Sequence, residues 1–377
     1  MKVGIDARVL GTSRALDRYT RNLVENLLKV EPRHDYVLFS DRDLAGHGFG
    51  LPVVQVPPKL TFRDHFAMAR SIKESGVDIF FHPDNIEFWR MPVPSVVTIH
   101  DLTPYKFPDL VFSKSPILRM RQQFYFYLQK KAILKNTDLV ITVSENTKED
   151  VCQVFRLPPE RVKVIYEGVE EKFQAPKNRE FIEEVKEKYH IGTDSPYIFY
   201  IGGMGRHKNV SILVEAFAQV VRRGAPDNLR LVIGGKTAGD VSSGQNDYSN
   251  LVKQIATLEM ADRVIFTGFV ADEDLPVLYS GAAVFVYPSL YEGFGFPPLE
   301  AMACGCPVVV SKSSSLPEVV GEAGALVDPR AVGEFTEKIL EVLSLSPAKR
   351  QQVVERGLKQ AQQFSWEKCA RETAAAL

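Results

Sequence analysis

The segment from Ala283 to Ser311 constrains the fold more than any other part of the sequence. Its first apolar run, Ala283–Tyr287, predicts a strand that is buried on both faces. A turn rich in glycine and proline follows at Glu292–Pro298, and then a helical stretch, Leu299–Ala303, and a second apolar strand, Pro307–Ser311. The order of strand, loop, helix and strand predicts a βαβ unit.

Two glutamates frame this unit. Glu292 opens the loop, and Glu300 lies near the start of the predicted helix. The loop glycines allow backbone N–H groups to approach a ligand, and the helix N-terminus favours an anion. A carboxylate at Glu300 can accept hydrogen bonds from paired hydroxyls. The alternative interpretation is an ordinary βαβ unit with a surface glutamate at each end.

The string SLYEGFGFPPLEAMACGCPVV, in which seven residues separate the glutamates, resembles the E-x7-E signature of the retaining glycosyltransferases of family 4. The resemblance implies an α/β protein of GT-B architecture, with two Rossmann-like doubly wound domains facing a cleft. It implies that Glu300 holds the donor ribose and that Glu292 is a catalytic residue beside the donor sugar. The amides of Gly293, Phe294 and Gly295 would bind the sugar.

The rest of the chain alternates strand-like and helical runs, which predicts parallel, doubly wound sheets. The strand-like runs of the first half are Lys2–Asp6, Tyr36–Ser40, Val53–Val56, Asp78–His82, Ser95–His100, Leu139–Val143 and Val162–Tyr166.

The predicted domains divide inside a charged stretch, 170–194, that is typical of an interdomain linker. We expect an acceptor-binding domain at 1–172, a nucleotide-sugar-binding domain at 173–362, and a tail at 363–377 that packs back on the first domain.

The first domain carries a second resemblance, in the string VVTIHDLTP, which is similar to the family's TIHDL segment. It implies that His100 lies next to the donor sugar as a catalytic residue, where histidine can donate or accept a hydrogen bond near neutral pH. Asp101 would orient a neighbouring group or bind an acceptor hydroxyl. Ser144 resembles the family's TVSE turn, but an N-cap explains this residue equally well.

The loop after the first strand departs from the family pattern. Arg18 and Tyr19 match the family's Arg–Tyr pair and are candidates for acceptor binding, and a helix is predicted to begin near Arg18. Ala15 and Asp17 stand where glycines are common, and the charge of Asp17 would repel a phosphate. Whether this altered loop takes part in catalysis is left open by the sequence.

A glycine turn, Gly202–Asn209, resembles the family segment that binds the donor diphosphate. Lys208 matches the family lysine, Arg206 is its helper, and His207 stands where arginine is usual. A cation is needed here because negative charge grows on the departing diphosphate. The backbone around Val270 resembles the stretch that lines the base pocket.

The donor favoured by these strings is GDP-mannose, because they look most like group 1 mannosyltransferases of polysaccharide assembly. UDP-sugar-dependent (glucosyl-type) transfer is the alternative. An epimerase of the same fold and a non-catalytic nucleotide-sugar binder are weaker alternatives. The acceptor, whether glycan, lipid-linked or small-molecule, is not specified by the sequence.

Neither a metal nor a cofactor is expected. Asp41-Arg-Asp43 and Asp272-Glu-Asp274 mimic a D-x-D metal motif, but neither lies with other metal-like ligands in the sequence. Helix capping is the predicted role of Asp272. The four cysteines are interpreted as small residues of a reducing cytosol.

The stretch 106–135 is basic and aromatic. It carries one acid, Asp109, against the basic residues Lys106, Lys114, Arg119, Arg121, Lys130, Lys131 and Lys135. It could lie on an anionic membrane, and a solvated face with core aromatics, Phe124–Tyr127, is the alternative. The net charge of −1 argues against nucleic acid, and the start MKVGIDARVL reads as a strand rather than a signal peptide. We therefore expect a cytoplasmic protein, with a peripheral position at the inner membrane face left open.

Overall fold

The computed structural model describes residues 1–12, 15–44, 46, 48–58, 62–84, 91–108, 115–192, 194–235 and 248–377. The chain forms two compact units. The first comprises Met1–Lys106, Phe112–Gly168 and Phe364–Leu377, and the second comprises Phe107–Val111 and Val169–Gln363.

The first unit is built on a parallel sheet with the strand order β3-β2-β1-β4-β5-β6-β7. Its strands are β1 (Lys2–Asp6), β2 (Asp35–Ser40), β3 (Val53–Gln55), β4 (Ile79–His82), β5 (Ser95–Ile99), β6 (Leu139–Thr142) and β7 (Val162–Val164). The central strands are apolar along nearly their whole length because helices cover both faces of a parallel sheet. The helices before the C-terminal segment are α1 (Ala15–Val30), α2 (Phe62–Ser75), α3 (Thr103–Lys106), α4 (Pro116–Asn136) and α5 (Glu145–Phe155).

The second unit repeats this design with the order β10-β9-β8-β11-β12-β13. Its strands are β8 (Tyr197–Ile201), β9 (Arg230–Gly234), β10 (Val264–Gly268), β11 (Val284–Tyr287), β12 (Val308–Ser311) and β13 (Ala325–Val327). Its helices are α6 (Arg179–Lys188), α7 (Val210–Arg222), α8 (Tyr248–Thr257), α9 (Leu275–Gly281), α10 (Phe296–Ala303), α11 (Leu316–Val320), α12 (Val332–Leu343) and α13 (Pro347–Ala361).

The C-terminal helix, α14 (Trp366–Ala374), belongs to the first unit and packs on α1. The edge of the Trp366 ring meets the buried ring of Tyr19, with 5.9 Å between the ring centroids.

The strand order of each sheet reverses beside its first strand. In the first unit the reversal lies between β1 and β4, and in the second between β8 and β11. Ligands of doubly wound sheets bind at the carboxyl ends of the strands on either side of such a switch point. A ligand of the second unit is therefore expected at the loops after β8 and β11.

Two helices begin earlier than the sequence predicts. Helix α1 begins at Ala15 rather than near Arg18, and the Asp17 carboxylate in its first turn accepts a hydrogen bond from the Gly11 amide at 3.1 Å. Helix α10 begins at Phe296 rather than Leu299. Its two prolines lie in the first turn, where a backbone N–H has no intrahelical partner to lose.

Candidate functional site

The loops after β8 and β11 are joined by hydrogen bonds. The Leu290 amide donates to the His207 carbonyl at 2.7 Å, and the Ser289 hydroxyl oxygen lies 3.2 Å from the same carbonyl oxygen. The Asn209 side-chain amide donates to the Pro288 carbonyl at 3.1 Å. Asn209 has a φ of 56°, a left-handed conformation that asparagine tolerates. These bonds turn the short 3₁₀ segment Arg206–Lys208 toward the loop that carries Glu292.

Lys208 and Glu292 form an ion pair at this switch point. The Lys208 Nζ lies 2.7 Å from the Glu292 Oε1 and 3.2 Å from the Tyr287 hydroxyl oxygen, and the Ser289 hydroxyl donates to the same Oε1 at 2.6 Å. Burial, the largest influence, would raise the pKa of Glu292. The charge of Lys208 and the hydrogen bonds from Lys208, Ser289 and Tyr287 outweigh it and hold that pKa below its usual value. Glu292 is therefore a carboxylate at neutral pH.

Glu300 is the second glutamate of the predicted signature. It lies inside α10, is buried, and accepts a hydrogen bond from the Tyr279 hydroxyl at 2.7 Å. Gly295, just before this helix, has a φ of +128°, and an added Cβ would lie 2.9 Å from the Leu316 Cδ2. Glycine is required there because a side chain would be strained and would clash.

The backbone comes close to itself beside the predicted base pocket. The Gly235 amide donates to the Gly268 carbonyl at 2.8 Å, and a Cβ on Gly235 would lie 2.1 Å from the Gly202 carbonyl oxygen. Val270 is buried next to these strand ends, and its side chain lies near Gly234. Arg206, the predicted helper on the diphosphate, is exposed on its turn.

In the first unit, His100 is held on both ring nitrogens. Its Nδ1 lies 3.1 Å from the Glu167 Oε1, and its Nε2 lies 2.8 Å from the Pro83 carbonyl oxygen. The Tyr19 ring meets the imidazole edge-on, with centroids 4.5 Å apart. Burial would lower the pKa of His100, but Glu167, the Pro83 carbonyl and Asp84 outweigh it and raise that pKa. Both ring nitrogens therefore face oxygens that can accept a hydrogen bond, an arrangement that favours the doubly protonated imidazolium ring.

Three other predicted residues of this unit have local structural contacts. The Asp101 Oδ1 accepts the Thr103 amide at 2.8 Å at the start of α3. Ser144 is the N-cap of α5, and its hydroxyl oxygen accepts the Thr147 amide at 3.0 Å, so the capping interpretation is confirmed. The buried Tyr19 hydroxyl lies 3.2 Å from the Thr98 hydroxyl, and Arg18 is half-buried beside it in the sequence. Ser13 and Arg14 of the altered loop lie outside the described residues.

The predicted capping role of Asp272 is wrong. Its carboxylate accepts a hydrogen bond from Lys172 at 3.0 Å, and the N-cap position of α9 belongs to Asp274. Asp274 is itself engaged with Lys188 and Tyr189, at 2.7 Å from each. In the described part of the chain, no group of three or more His, Cys, Asp or Glu side chains is arranged to hold a metal ion.

Comparison with known proteins identifies the family. The family model of glycosyl transferases group 1 matches residues 181–360, and that of glycosyltransferase family 4 matches residues 16–173. O-antigen chain mannosyltransferase B of Escherichia coli is 34% identical over 298 residues, which cover 78% of this chain and 73% of that protein. The chain belongs to the group 1 glycosyltransferases.

Solved structures show that this glycosyltransferase has the predicted GT-B fold. Sucrose-phosphate synthase of Thermosynechococcus elongatus matches all of this chain and 98% of its own, with a TM-score of 0.74 and 21% identity. HepE of Anabaena, solved in complex with UDP and glucose, matches all of this chain and 99% of its own, with a TM-score of 0.73 and 20% identity. The sequences are too different for these likenesses to show more than the fold.

Residues 116–135 of the basic and aromatic stretch lie in α4 of the glycosyltransferase, and the aromatics of this helix are not core residues as one alternative expected. Phe124, Tyr125 and Tyr127 are exposed, and only Phe126 is half-buried. Large exposed apolar side chains recur every three or four residues along one side of the helix: Ile117, Met120, Phe124 and Tyr127. Asp109, Lys114 and the Lys135 side chain lie outside the described residues. Among the helices of the described residues, none has the length and hydropathy needed to cross a membrane.

Sequence reasoning missed that Tyr287 and Ser289 contact the Glu292 carboxylate, and it did not pair Glu167 with His100. Each follows or ends a strand, which is the only sequence signal that pointed to them. A tyrosine or serine at a strand end is common, so this signal does not single them out.

Proposed function

We propose that the protein moves a hexose, with retention of configuration, from a nucleotide sugar to a glycan, lipid-linked or small-molecule acceptor. The Lys208–Glu292 pair carries the proposal, because it combines a cation and a carboxylate at the switch point where ligands of such sheets bind. Residues 173–362 would bind the nucleotide sugar, and residues 1–172 with 363–377 would bind the acceptor.

The donor roles follow from charge and hydrogen bonding. Lys208, with Arg206 as helper, would bind the diphosphate and stabilise the charge that grows on it when the glycosidic bond breaks. Glu292 would then lie beside the sugar, together with the amides of the loop 293–295. Glu300 would accept hydrogen bonds from the ribose hydroxyls, and the backbone near Val270 would contact the base.

The first unit would supply His100 and the acceptor contacts. Because both nitrogens of His100 lie within hydrogen-bond distance of protein oxygens, we propose that it acts as a fixed cation and not as a general base. Asp101, Arg18, Tyr19 and Ser144 stay candidates for contacts to the acceptor.

Retention would follow a front-face mechanism, in which the leaving-group oxygen deprotonates the acceptor. Double displacement would require a nucleophilic carboxylate beneath the anomeric carbon. Glu292 is a poor candidate, because its Oε1 already accepts hydrogen bonds from Lys208 and Ser289. The anomeric configuration of the product, read by NMR, tests retention, and an inverted product would refute it.

We propose GDP-mannose as the donor, supported by the name of the mannosyltransferase relative. UDP-glucose-type donors are the alternative, supported by the UDP bound in the HepE structure. Thermal shifts with GDP, UDP, ADP and CMP, with and without magnesium, separate them, since a ligand at one hundred times its Kd stabilises the fold by about 2.7 kcal/mol. A shift with GDP alone that magnesium does not change supports a metal-independent GDP-sugar enzyme. A thermal shift with UDP alone would refute GDP-mannose and identify a UDP-sugar as the donor.

Transfer assays test the reaction class. Lys208→Ala and Glu292→Ala should each lower kcat by about 10²–10³-fold, the range seen when a group that stabilises transition-state charge is removed. Lys338→Ala is the matched control, because Lys338 forms an exposed ion pair of the same 2.7 Å length with Glu341. Full activity in both site variants would refute the assignment. Conversion of the sugar without an acceptor would indicate an epimerase, and binding without turnover a non-catalytic binder.

We also propose that α4 rests on an anionic lipid surface. Its exposed apolar side chains are accompanied by the exposed basic residues Arg121 and Lys131, and the Lys131 Nζ lies 4.6 Å from the centre of the Tyr127 ring. Exposed aromatic side chains and long basic side chains are both favoured at the boundary between acyl chains and anionic headgroups. Such a position would bring the first unit to a lipid-linked acceptor.

Vesicle sedimentation tests this surface. The protein should bind vesicles that contain phosphatidylglycerol and not vesicles of phosphatidylcholine alone. Phe124→Ser should weaken the binding, whereas Phe66→Ser should not, because Phe66 has a similar exposure (69% against 60%) but lies on α2. Equal loss in both variants, or equal binding to both kinds of vesicle, would refute the proposal.

A further inference from the structure

Three consecutive serines after β12 bind the loop that carries Glu292. The Ser313 hydroxyl donates to the Ser289 carbonyl at 2.8 Å, and the Glu292 amide donates to the Ser314 hydroxyl oxygen at 2.9 Å. The buried Ser315 hydroxyl has one proton and lies against two carbonyl oxygens, that of Phe294 at 2.5 Å and that of Glu292 at 3.0 Å. The main chain on both sides of Glu292 is therefore fixed by hydroxyl groups of another loop.

These bonds determine where the loop amides point. In a trans peptide the C=O and the N–H point in opposite directions. Because the Glu292 carbonyl points toward the Ser315 hydroxyl, the N–H of the same peptide, that of Gly293, points away from Ser315. The Phe294 carbonyl also points toward this hydroxyl, so the Gly295 N–H points away from it as well. The two glycine amides predicted to bind the donor sugar are thus oriented by one serine hydroxyl.

The backbone of Ser314 is strained in the conformation that places its hydroxyl beside the Glu292 amide. Its φ is 47°, in the left-handed region that side chains other than those of glycine, asparagine and aspartate rarely adopt. Such strain is retained where the surroundings enforce it, and it clusters at functional sites. Glycine would relieve the strain at position 314, but it would remove the oxygen that accepts the Glu292 amide.

We propose that Ser314 and Ser315 are positioning residues that orient the 292–295 loop toward the sugar of the donor. This inference rests on the proposed function, since it assumes that the loop receives a sugar nucleotide. The serines do not touch the reacting atoms; they act through the backbone of Glu292, Gly293 and Gly295. The nucleoside diphosphate, held by Lys208, would not depend on them.

Ser314→Gly tests the proposal, because it relieves the backbone strain at position 314 and at the same time removes the hydroxyl that binds the Glu292 amide. Glu259→Gly is the matched control: Glu259 is also a left-handed residue of the second unit (φ 63°), but it is exposed at the end of the turn after α8. Both variants should fold, with melting temperatures equal to or above that of the wild type. A purely structural role for Ser314 would leave the kinetics of both variants alike.

Three measurements decide the outcome. Hydrogen exchange of the Glu292 amide without ligand should become faster in Ser314→Gly and stay unchanged in Glu259→Gly. The kcat for transfer from the sugar nucleotide should fall by about 10–100-fold in Ser314→Gly alone, as expected for a misplaced reacting group. The Kd of the nucleoside diphosphate should be the same in both variants and the wild type. Ser315→Ala should likewise lower kcat.

Each contrary result has a distinct meaning. Unchanged exchange of the Glu292 amide would show that Ser314 does not hold it, and the inference would fail. Faster exchange with unchanged kcat would refute the positioning role and leave the glycosyltransferase assignment intact. A wild-type protein that transfers neither mannose from GDP-mannose nor glucose from UDP-glucose, and binds neither nucleotide, would refute the proposed function and the inference with it.

Discussion

The Lys208–Glu292 pair predicts an unusual result in a double-mutant cycle. The two side chains are 18% and 14% exposed, so removing one partner leaves the other charge largely out of water. Breaking a buried pair costs about 3–5 kcal/mol, and the residual exposure puts the expected loss for Lys208→Met or Glu292→Met near 3 kcal/mol. Replacing both partners removes both charges, so we expect the double variant to be more stable than either single variant.

Calorimetry is the suitable assay, because two units need not unfold in one transition. Each single variant should lower the Tm of one transition by about 6–12 °C, at about 2–4 °C per kcal/mol for a domain of this size. The control cycle uses Lys338 and Glu341, whose side chains are 45% and 62% exposed and whose coupling should be about 0.5 kcal/mol or less. Additive losses at Lys208 and Glu292, or losses no larger than in the control, would refute the buried ion pair.

Two further predictions concern the histidine cluster and the glycine contact. Glu167 raises the pKa of His100, so the interaction of the two side chains stabilises the fold below about pH 6.5, the usual histidine pKa, and this stabilisation is lost as pH rises through the folded-state pKa of His100. Glu167→Gln should therefore lower the urea midpoint more at about pH 6 than at about pH 9. Equal losses at both pH values would contradict the imidazolium assignment. Gly235→Ala should cost at least about 2 kcal/mol, because its Cβ would lie 2.1 Å from the Gly202 carbonyl oxygen at a φ of +130°. Gly333→Ala, where an added Cβ meets nothing within 4 Å, should be neutral or stabilising, and similar effects of the two alanines on thermal unfolding would refute the close approach.

The α/β class and the GT-B fold could be predicted from the sequence and are confirmed. Alternating strands and helices are a local pattern, and the string around Glu292 and Glu300 is long enough to identify the family. The contact between Lys208 and Glu292 could not be predicted, and the sequence analysis gave the two residues separate parts of the donor. They are 84 positions apart and meet because β8 lies beside β11, which is a property of strand order.

The exposure of the α4 aromatics could not be predicted from the sequence either. An aromatic cluster such as Phe124–Tyr127 is usual in a core, and the sequence offers nothing to show whether another element covers it. Helix starts were misplaced for a different reason. In the first turn of α1, the Asp17 carboxylate accepts a hydrogen bond from the Gly11 amide. The sequence shows only that Asp17 is negatively charged, and it does not show that this charge binds an amide of the preceding loop.

The two switch points explain why the proposed donor site belongs to the second unit. Beside β1 and β4, Asp6 and Arg8 form a bidentate pair that is almost completely buried, with the His82 Nδ1 3.7 Å from the carboxylate. A diphosphate could bind Arg8 only after this closed pair had opened, which would leave a carboxylate buried without its cation. Beside β8 and β11, the Lys208 and Glu292 side chains are more exposed than those of Arg8 and Asp6 (18% and 14% against 4% and 3%), and Glu292 would keep the Ser289 hydroxyl if the lysine turned to another anion. The same sheet design therefore yields a closed ion pair in one unit and a less buried one in the other, which supports the proposal that a leaving diphosphate binds at Lys208.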